Sequence, residues 1–328
     1  MIHFTHNDLD ALGSMLCVDA KYGDKITKVY HTFYGDFEKQ VNDVIADNDD
    51  IVIITDLSFA EKPDCLHKLI QNKKYVQLID HHSYPENFWL EFSKYSNFKR
   101  IINDQICAAL ICHDTLLPGV ITENNRVLIG NLCKVIDVYD CWREDDKLFE
   151  GSQRLNLWFW TKNIDELCKA IRDNGYKLPS SFKEEMVKLY NDQQKEIENA
   201  YNNKQVFRMG PVTFVFNNYV FNPILIKELK EGQKLVVCCF QFRNGDFCFK
   251  VRVKQGIFNS CSLDLLRMNI MGKITGHPNA FSYVKKINNE AELTNEYKMI
   301  VNEFIKILNN PLYSDEADEA DEADEIPF

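Results

Sequence analysis

Aspartate and histidine side chains follow three of the apolar runs in the first part of the chain. The residues concerned are His6, Asp8, Asp10, Asp56, Asp80, His81 and His82. Carboxylate oxygens and imidazole nitrogens, with no thiolate among them, suit Mn²⁺ and also accept Mg²⁺, Co²⁺ or Zn²⁺. About six such ligands are too many for one tetrahedral ion, so the pattern predicts two divalent ions roughly 3.5–4 Å apart. Two ions at that spacing clamp a phosphate and lower the pKa of a bridging water, which then attacks phosphorus at neutral pH.

Strand and helix patterns alternate around these residues. The predicted strands are residues 2–5, 28–33, 50–55 and 75–79, and the predicted helices are 11–22, 36–46 and 61–71. This order predicts an α/β fold with a parallel, doubly wound sheet and right-handed crossovers. The loops at the carboxyl ends of such strands form the binding crevice, so we expect the side chains after residues 5, 55 and 79 to meet at one edge. A single aspartate after a strand is more often a helix cap, but three converging strand ends favour a metal site.

The later part of the chain predicts a second domain after a helical stretch. A strand at 98–103 is followed by predicted helices at about 105–115, 123–138 and 162–173, and then by a long polar helix at 182–204. From residue 205 a smaller mixed α/β pattern begins, with strands at 205–209, 211–216, 234–242 and 246–254 and helices at 222–230, 262–270 and 291–309. We therefore predict a catalytic domain over 1–178, a helical linker over 179–204, a substrate-binding domain over 205–312 and a disordered acidic tail over 313–328.

Composition limits the classes of partner. Eight acidic side chains between residues 315 and 325 contribute −8 to the net charge of −11, so the rest of the chain carries a charge of only −3. It therefore lacks the strong positive charge of proteins that bind a long nucleic-acid duplex. The 11 cysteines include no C-x-x-C pair and sit mostly in apolar stretches, which argues against a disulfide framework and a thiolate zinc site. The apolar runs are of strand length and no signal peptide is recognisable, so we expect a cytoplasmic protein with no membrane partner.

The metal-binding pattern resembles the motifs of the DHH phosphoesterase superfamily. The sequence HNDLDALGS at 6–14 resembles the first motif, TDLS at 55–58 the second, and DHH at 80–82 the third. For the fourth motif, VIDVYDCW at 135–142 offers Asp137 and Asp140, which a helix would place on one face. The YDCW form resembles the nano-RNase branch and favours Asp140, whereas the VID context resembles the RecJ exonuclease branch and favours Asp137. Both aspartates stay candidates.

The resemblance implies two groups of metal ligands. His6, Asp8 and Asp56 would hold the first ion. The second ion would be held by Asp10, Asp56, His81 and the aspartate of the fourth motif. Asp56 would then bridge the two ions.

The resemblance also implies roles beside the metals. His82 would contact the substrate phosphate or protonate the leaving oxygen, and Asp80 would orient a neighbouring histidine. Only Asn7 stands between the histidine and the first aspartate of the first motif, where many members of the superfamily have three residues. This spacing resembles the nano-RNase-like subgroup and disfavours an inorganic pyrophosphatase.

A weaker likeness lies in the predicted second domain. TGHPNAFS at 275–282 resembles the Gly-Gly-His loop of the DHH-associated domain, with Thr275 in place of the first glycine, and FKVRVK at 249–254 resembles its arginine-bearing strand. The resemblance implies that Arg252 and His277 contact a substrate phosphate and that Gly276 lets the backbone approach closely. It further implies that substrate binds in a cleft between two lobes that close over it.

The sequence thus predicts a two-metal phosphodiesterase, with Mn²⁺ the favoured ion and Mg²⁺ or Co²⁺ the alternatives. The favoured substrates are short RNA or DNA oligonucleotides or dinucleotides, cleaved to mononucleotides. The alternatives are a RecJ-like single-strand exonuclease, a phosphatase of a small nucleotide such as a bisphosphate or cyclic dinucleotide, and a catalytically silent nucleotide-binding protein. The sequence sets no oligomeric state.

Overall fold

The computed structural model of the chain describes residues 1–33, 36–217, 220–241, 245–254, 275–277 and 280–309. The chain divides into two units, Met1–Leu189 and Tyr190–Phe328. The helix predicted at 262–270 and the acidic tail predicted at 313–328 lie outside the described residues. None of the helices in the described part is both long enough and apolar enough to cross a bilayer.

The first unit is built on a parallel sheet of five strands. These are β1 (Ile2–Thr5), β2 (Lys28–His31), β3 (Ile51–Thr55), β4 (Tyr75–Asp80) and β5 (Phe98–Ile102). Their order across the sheet is β2-β1-β3-β4-β5, with every neighbouring pair parallel. The central strand β3 is a continuous apolar run from Ile51 to Ile54, as is typical of a strand in a sheet covered on both faces. The predicted parallel, doubly wound sheet is confirmed.

Helices cover the two faces of this sheet unequally. The helices are α1 (Leu9–Tyr22), α2 (Phe37–Ala46), α3 (Pro63–Asn72), α4 (Ala108–Leu116), α5 (Glu123–Asp140), α6 (Phe149–Phe159) and α7 (Ile164–Asp173), followed by α8 (Phe182–Asn202), which crosses the boundary between the units. Helices α2 and α3 pack on one face, whereas α1, α4, α5, α6 and α7 form the larger core on the other. Helix α1 is the centre of this larger core, because all its residues from Leu9 to Val18 are buried.

Helix α1 begins and packs in ways that place the residues after β1. It begins at Leu9, two residues before the predicted start, because Asp8 caps it by accepting a hydrogen bond from the Ala11 N–H at 2.9 Å. At Gly13 a Cβ atom would lie 2.5 Å from the Cβ of Ala109 and 2.8 Å from Cδ1 of Ile136. Only glycine therefore allows α1 to approach α4 and α5 this closely.

The second unit contains a mixed sheet among its described residues. Its strands are β6 (Val206–Met209), β7 (Val212–Val215), β8 (Leu235–Gln241), β9 (Phe247–Val253), β10 (Thr275–His277) and β11 (Ala280–Lys285), in the order β10-β11-β9-β8-β7-β6. Only the pair β7–β8 is parallel. Helices α9 (Phe221–Lys230) and α10 (Glu290–Leu308) complete this part, and α10 packs on the apolar face of the sheet. The predicted mixed α/β character of this domain is confirmed.

One segment of the second unit differs from its predicted form. Residues 275–282 were expected to form a loop, but Thr275–His277 pairs as a strand with the first residues of β11. Strand β11 therefore has two neighbours in the sheet, β9 on one side and β10 on the other.

Candidate metal centre

The carboxyl ends of three neighbouring strands meet at one edge of the first sheet. Thr5 of β1 is paired with Thr55 of β3, and Thr55 is paired with Ile79 of β4. The residues that come next along each strand therefore lie side by side, as expected for parallel strands in register. This register brings together the histidines and aspartates that the sequence singled out.

A first group of side chains surrounds the end of β1. Nδ1 of His6 lies 2.6 Å from Oδ2 of Asp8 and 3.9 Å from Oδ2 of Asp56. One possible ligand atom from each of these three residues lies within 4.8 Å of the other two. Asp8 uses Oδ1 to cap α1, so its Oδ2 is the oxygen turned to this group.

A second group surrounds His81, the first residue after β4. Its Nε2 atom lies 3.3 Å from Oδ1 of Asp56, 3.5 Å from Oδ2 of Asp140 and 3.8 Å from Oδ2 of Asp10. Asp10, His81 and Asp140 also bring ligand atoms within 4.8 Å of one another. Asp56 therefore contacts both groups, with Oδ2 towards His6 and Oδ1 towards His81.

The backbone of Asp56 is unusual. It leaves β3 with φ of 55°, in the left-handed region of backbone conformation. Residues other than glycine rarely adopt this region, although asparagine and aspartate do so more often than the rest. Its N–H is fixed by donating to the carbonyl of Ile79 at 3.1 Å. Strained conformations of this kind persist where the surroundings fix them and are common at functional sites.

Two carboxylates of these groups each have a buried oxygen that lacks a hydrogen-bond partner among the described residues. These oxygens are Oδ2 of Asp56 and Oδ2 of Asp140. Burial, and then repulsion from Asp8 and Asp10, raises the pKa of both carboxyl groups well above the usual range. Buried acceptors of this kind require a proton or a cation. The oxygen-rich set with two imidazoles fits divalent ions such as Mn²⁺.

Asp10 is fixed by a helix end rather than by a positive side chain. Its Oδ2 accepts from the Ala108 N–H at 2.9 Å and its Oδ1 from the Ala109 N–H at 2.7 Å. These N–H groups belong to the first turn of α4, which carries a partial positive charge. Burial raises the pKa of Asp10 and outweighs the opposing effect of the His81 imidazole, and repulsion from Asp8 adds to the rise. A proton or a cation would therefore stabilise this carboxylate.

The two aspartates of the fourth motif have different surroundings. Both lie on α5, one turn apart, because the helix continues two residues beyond its predicted end at residue 138. Asp140 faces His81, whereas Asp137 accepts a hydrogen bond from the Cys107 N–H at 2.8 Å and forms an ion pair with Nε of Arg143 at 2.9 Å. Asp140 is thus among the grouped side chains and Asp137 is not.

Asp80 and His82 form a hydrogen-bonded pair and, together with Asp56 and His81, also bring possible ligand atoms within 4.8 Å of one another. Oδ1 of Asp80 lies 2.7 Å from Nδ1 of His82, and the Tyr84 hydroxyl donates to Oδ2 at 2.6 Å. Burial would raise the pKa of Asp80, but the bonds from His82 and Tyr84 outweigh it and lower the pKa. Burial would likewise lower the pKa of His82, but the Asp80 carboxylate outweighs it and raises the pKa. The imidazole is therefore oriented by Nδ1, with Nε2 left to face other groups.

Sequence reasoning missed three side chains around the site. Phe33, two residues after β2, is 47% exposed, and its ring lies edge-on to that of His6 with centroids 6.0 Å apart. Tyr84 and Arg143 contact the carboxylates of Asp80 and Asp137. For Phe33 the available signal was its position as the last residue of the predicted strand 28–33, which ends at the same edge of the sheet. For Tyr84 and Arg143 the sequence holds no such signal, since their partners are set by tertiary packing.

The three residues predicted to bind substrate lie in the second unit. Arg252 is on β9, and Gly276 and His277 are on β10. Ala280 of β11 is paired with Arg252 on one side and with His277 on the other, so the three backbones are adjacent in the sheet. Nη1 of Arg252 donates to the carbonyl of Val251 at 3.0 Å.

Comparison with solved structures identifies the class of fold. The chain is similar to an exonuclease RecJ bound to manganese, with a TM-score of 0.59 and 12% identity over 92% of this chain and 89% of that one. It is also similar to RecJ in complex with Mn²⁺ from Thermus thermophilus, with a TM-score of 0.57 and 12% identity over 94% of this chain and 52% of that one. No protein-family model and no curated protein sequence matches the chain.

A third similar structure belongs to a protein described by a different activity. The exopolyphosphatase-related protein from Bacteroides fragilis gives a TM-score of 0.53 and 13% identity over 93% of each chain. The chain therefore has the fold of these proteins, and the predicted α/β fold class is confirmed. The likeness shows the fold and distinguishes none of the activities that the motifs suggest.

Proposed function

We propose that the chain is a metal-dependent phosphoesterase of the DHH type that hydrolyses short oligonucleotides or dinucleotides to mononucleotides. The observation that carries the proposal is the pair of side-chain groups that share Asp56. Each group offers carboxylate oxygens and an imidazole, and the shared carboxylate has a buried oxygen without a hydrogen-bond partner among the described residues. This is the arrangement that a two-ion phosphoesterase site requires.

The two groups of side chains would each hold one divalent ion. His6, Asp8 and Asp56 would hold the first ion, with Mn²⁺ favoured. Asp10, Asp56, His81 and Asp140 would hold the other. When bound, the ions would neutralise charge on a phosphate and lower the pKa of a water next to it. Asp56, with oxygens towards both groups, would bridge the ions.

His82 is proposed to handle the proton of the leaving oxygen. Asp80 and Tyr84 hold its ring, and the Asp80 carboxylate raises the pKa of the imidazole. A raised pKa favours the protonated ring, whose Nε2 would donate to an oxygen that develops negative charge. Neither Asp80 nor His82 then needs to be a metal ligand.

Two observations favour a nucleotide over an inorganic chain of phosphates. The exposed ring of Phe33 beside His6 offers a surface on which a base can stack. The near-neutral body of the protein suits a substrate with few phosphates better than a long polyanion. Arg252, Gly276 and His277 are proposed to bind the phosphate or terminal nucleotide of the same substrate.

A RecJ-like exonuclease acting on longer single strands is the competing function, because RecJ proteins share the fold. The cytoplasm is the proposed compartment, since ten cysteines in the described part of the chain are free thiols, as expected in a reducing environment.

A length series tests the proposed substrate. End-labelled RNA and DNA from dinucleotides to long strands are incubated with the protein and Mn²⁺, and initial rates and products are measured for each length. The proposal expects the fastest turnover on the shortest strands, with mononucleotides as products. Faster processive cleavage of long single-stranded DNA would replace it by the RecJ-like function.

A further inference from the structure

The beginning of α4 is held by carboxylates from two different helices. Asp137 of α5 accepts from the N–H of Cys107, while Asp10 of α1 accepts from those of Ala108 and Ala109. Three consecutive N–H groups that a helix leaves without internal partners are thereby satisfied. The start of α4 therefore ties the carboxylate of Asp10 to the carboxyl-terminal turn of α5.

Arg143 completes this connection. Its Nε donates to Oδ2 of Asp137 at 2.9 Å, and its Nη2 donates to the carbonyl of Gln105 at 2.6 Å. Trp142, with φ of 52°, turns the chain back after α5, and the Arg143 N–H donates to the carbonyl of Val138 at 2.9 Å. One guanidinium thus binds both the end of α5 and the segment that leads into α4.

Asp140 lies one turn beyond Asp137 on the same helix. Its Oδ2 lies 3.5 Å from Nε2 of His81, and Oδ2 of Asp10 lies 3.8 Å from that same atom. The spacing of Asp10 and Asp140 therefore depends on how α1, α4 and α5 are held together. Asp137, through the Cys107 N–H, and Arg143, through the Gln105 carbonyl, make polar contacts that hold the end of α5 against the start of α4.

We propose that Asp137 and Arg143 act as a positioning pair that sets the geometry of the second group of ligands, and that Asp137 is not itself a ligand. The inference rests on the proposed function, because it concerns the ion held by Asp10, His81 and Asp140. Both oxygens of Asp137 are already used, one by the Cys107 N–H and the other by Arg143. Mutation of residues that orient metal ligands in this way typically lowers metal affinity by about 10- to 100-fold.

The test is a calorimetric titration of the metal-free full chain with Mn²⁺. The native chain is expected to bind two ions. Arg143→Gln, in a side chain that is 40% exposed, is expected to weaken one of the two sites by about 10- to 100-fold and leave the other unchanged. Arg143→Lys should recover part of the lost affinity, because an ammonium can still donate to Asp137.

Three further variants separate positioning from direct ligation and from stability. Asp137→Asn should behave like Arg143→Gln, with activity restored by excess Mn²⁺, whereas Asp140→Asn should lose one site at any Mn²⁺ concentration. Arg126→Gln is the matched control, because Arg126 pairs with Glu123 at the other end of α5. It should leave both affinities unchanged.

The possible contradictions are distinct. Unchanged affinities in Arg143→Gln would overturn the positioning role alone. Loss of a site in Asp137→Asn that excess Mn²⁺ does not restore would make Asp137 a ligand and also overturn it. If the native chain bound no Mn²⁺, the proposed function itself would fail, and the inference with it.

Discussion

Oδ1 of Asp56 lies 3.3 Å from Nε2 of His81, at the point where the ends of β3 and β4 meet. The other oxygen of the same carboxylate is turned towards His6, so one buried side chain contacts both groups of candidate ligands. An ionised Asp56 destabilises the metal-free protein, because burial and the neighbouring carboxylates oppose its ionisation. A cation bound at Asp56 would offset this destabilisation.

Asp56→Asn should stabilise the metal-free protein and abolish its response to metal. The pKa of Asp56 is raised in the folded state, so the unfolded chain releases this proton at lower pH, and native stability falls as pH rises above the unfolded value. With chelator at neutral pH, the free energy of unfolding of Asp56→Asn should exceed that of the native chain by about 1–3 kcal/mol. Added Mn²⁺ should raise the melting temperature of the native chain alone. A less stable metal-free variant would contradict this reading.

His82→Gln should reduce turnover by about 10²- to 10⁴-fold with little change in KM, because it removes the proposed proton donor but none of the proposed metal ligands. Tyr84→Phe removes only the hydroxyl that holds Asp80 and should cause a smaller loss of kcat. Steady-state kinetics on a dinucleotide, with Mn²⁺ affinity measured in parallel, separates the two effects. If His82→Gln lost an ion as well, His82 would be a ligand instead.

Phe33→Ala should raise KM for a dinucleotide roughly tenfold and leave kcat nearly unchanged, since stacking of one base contributes about 1–3 kcal/mol. An analogue that lacks one base should be hydrolysed equally well by both proteins if that base is the one that stacks. Phe33→Trp should retain the native KM, and Val127→Ala, at another exposed apolar side chain, is the control. Equal KM values in Phe33→Ala and the native chain would remove the stacking role.

Gly13→Ala should destabilise the fold by about 1–3 kcal/mol, because its Cβ would overlap Ala109 and Ile136. Gly151 of α6 is the matched control, since a Cβ there would meet nothing within 4 Å. Gly151→Ala should stabilise the protein by about 0.4–1 kcal/mol. Urea unfolding of both variants measures the difference, and equal free energies of unfolding would show that α1 can move away from α4 without loss.

Much of the first unit was predictable because its local signals agree. The strands are short apolar runs, the helices between them are amphipathic, and the polar residues follow the strands, so the sheet and its functional edge could be inferred together. The helix Phe149–Phe159 escaped prediction because Gly151, Ser152 and Gln153 interrupt its pattern. Its buried residues Leu155 and Trp158 become informative only once the neighbouring helices are in place.

The sequence could predict which residues lie in the candidate site, but not which partner each of them contacts. Asp137 and Asp140 are separated by one helical turn, so no periodicity distinguishes them. They differ through partners far along the chain or across a tight turn, namely the N–H of Cys107, the guanidinium of Arg143 and the imidazole of His81. Such partners depend on how helices pack, which local sequence does not encode.

The most direct test of the central claim is hydrolysis of a dinucleotide before and after metal removal. Initial rates are measured with Mn²⁺, with chelator and after Mn²⁺ is restored, for the native chain, Asp56→Ala and Asp64→Ala, an exposed aspartate on α3 that serves as control. We expect the native chain and Asp64→Ala to turn over the dinucleotide in a reaction that chelator abolishes and Mn²⁺ restores. We expect no turnover by Asp56→Ala. Turnover that survives chelation, or persists in Asp56→Ala, would contradict a metal-dependent site centred on Asp56.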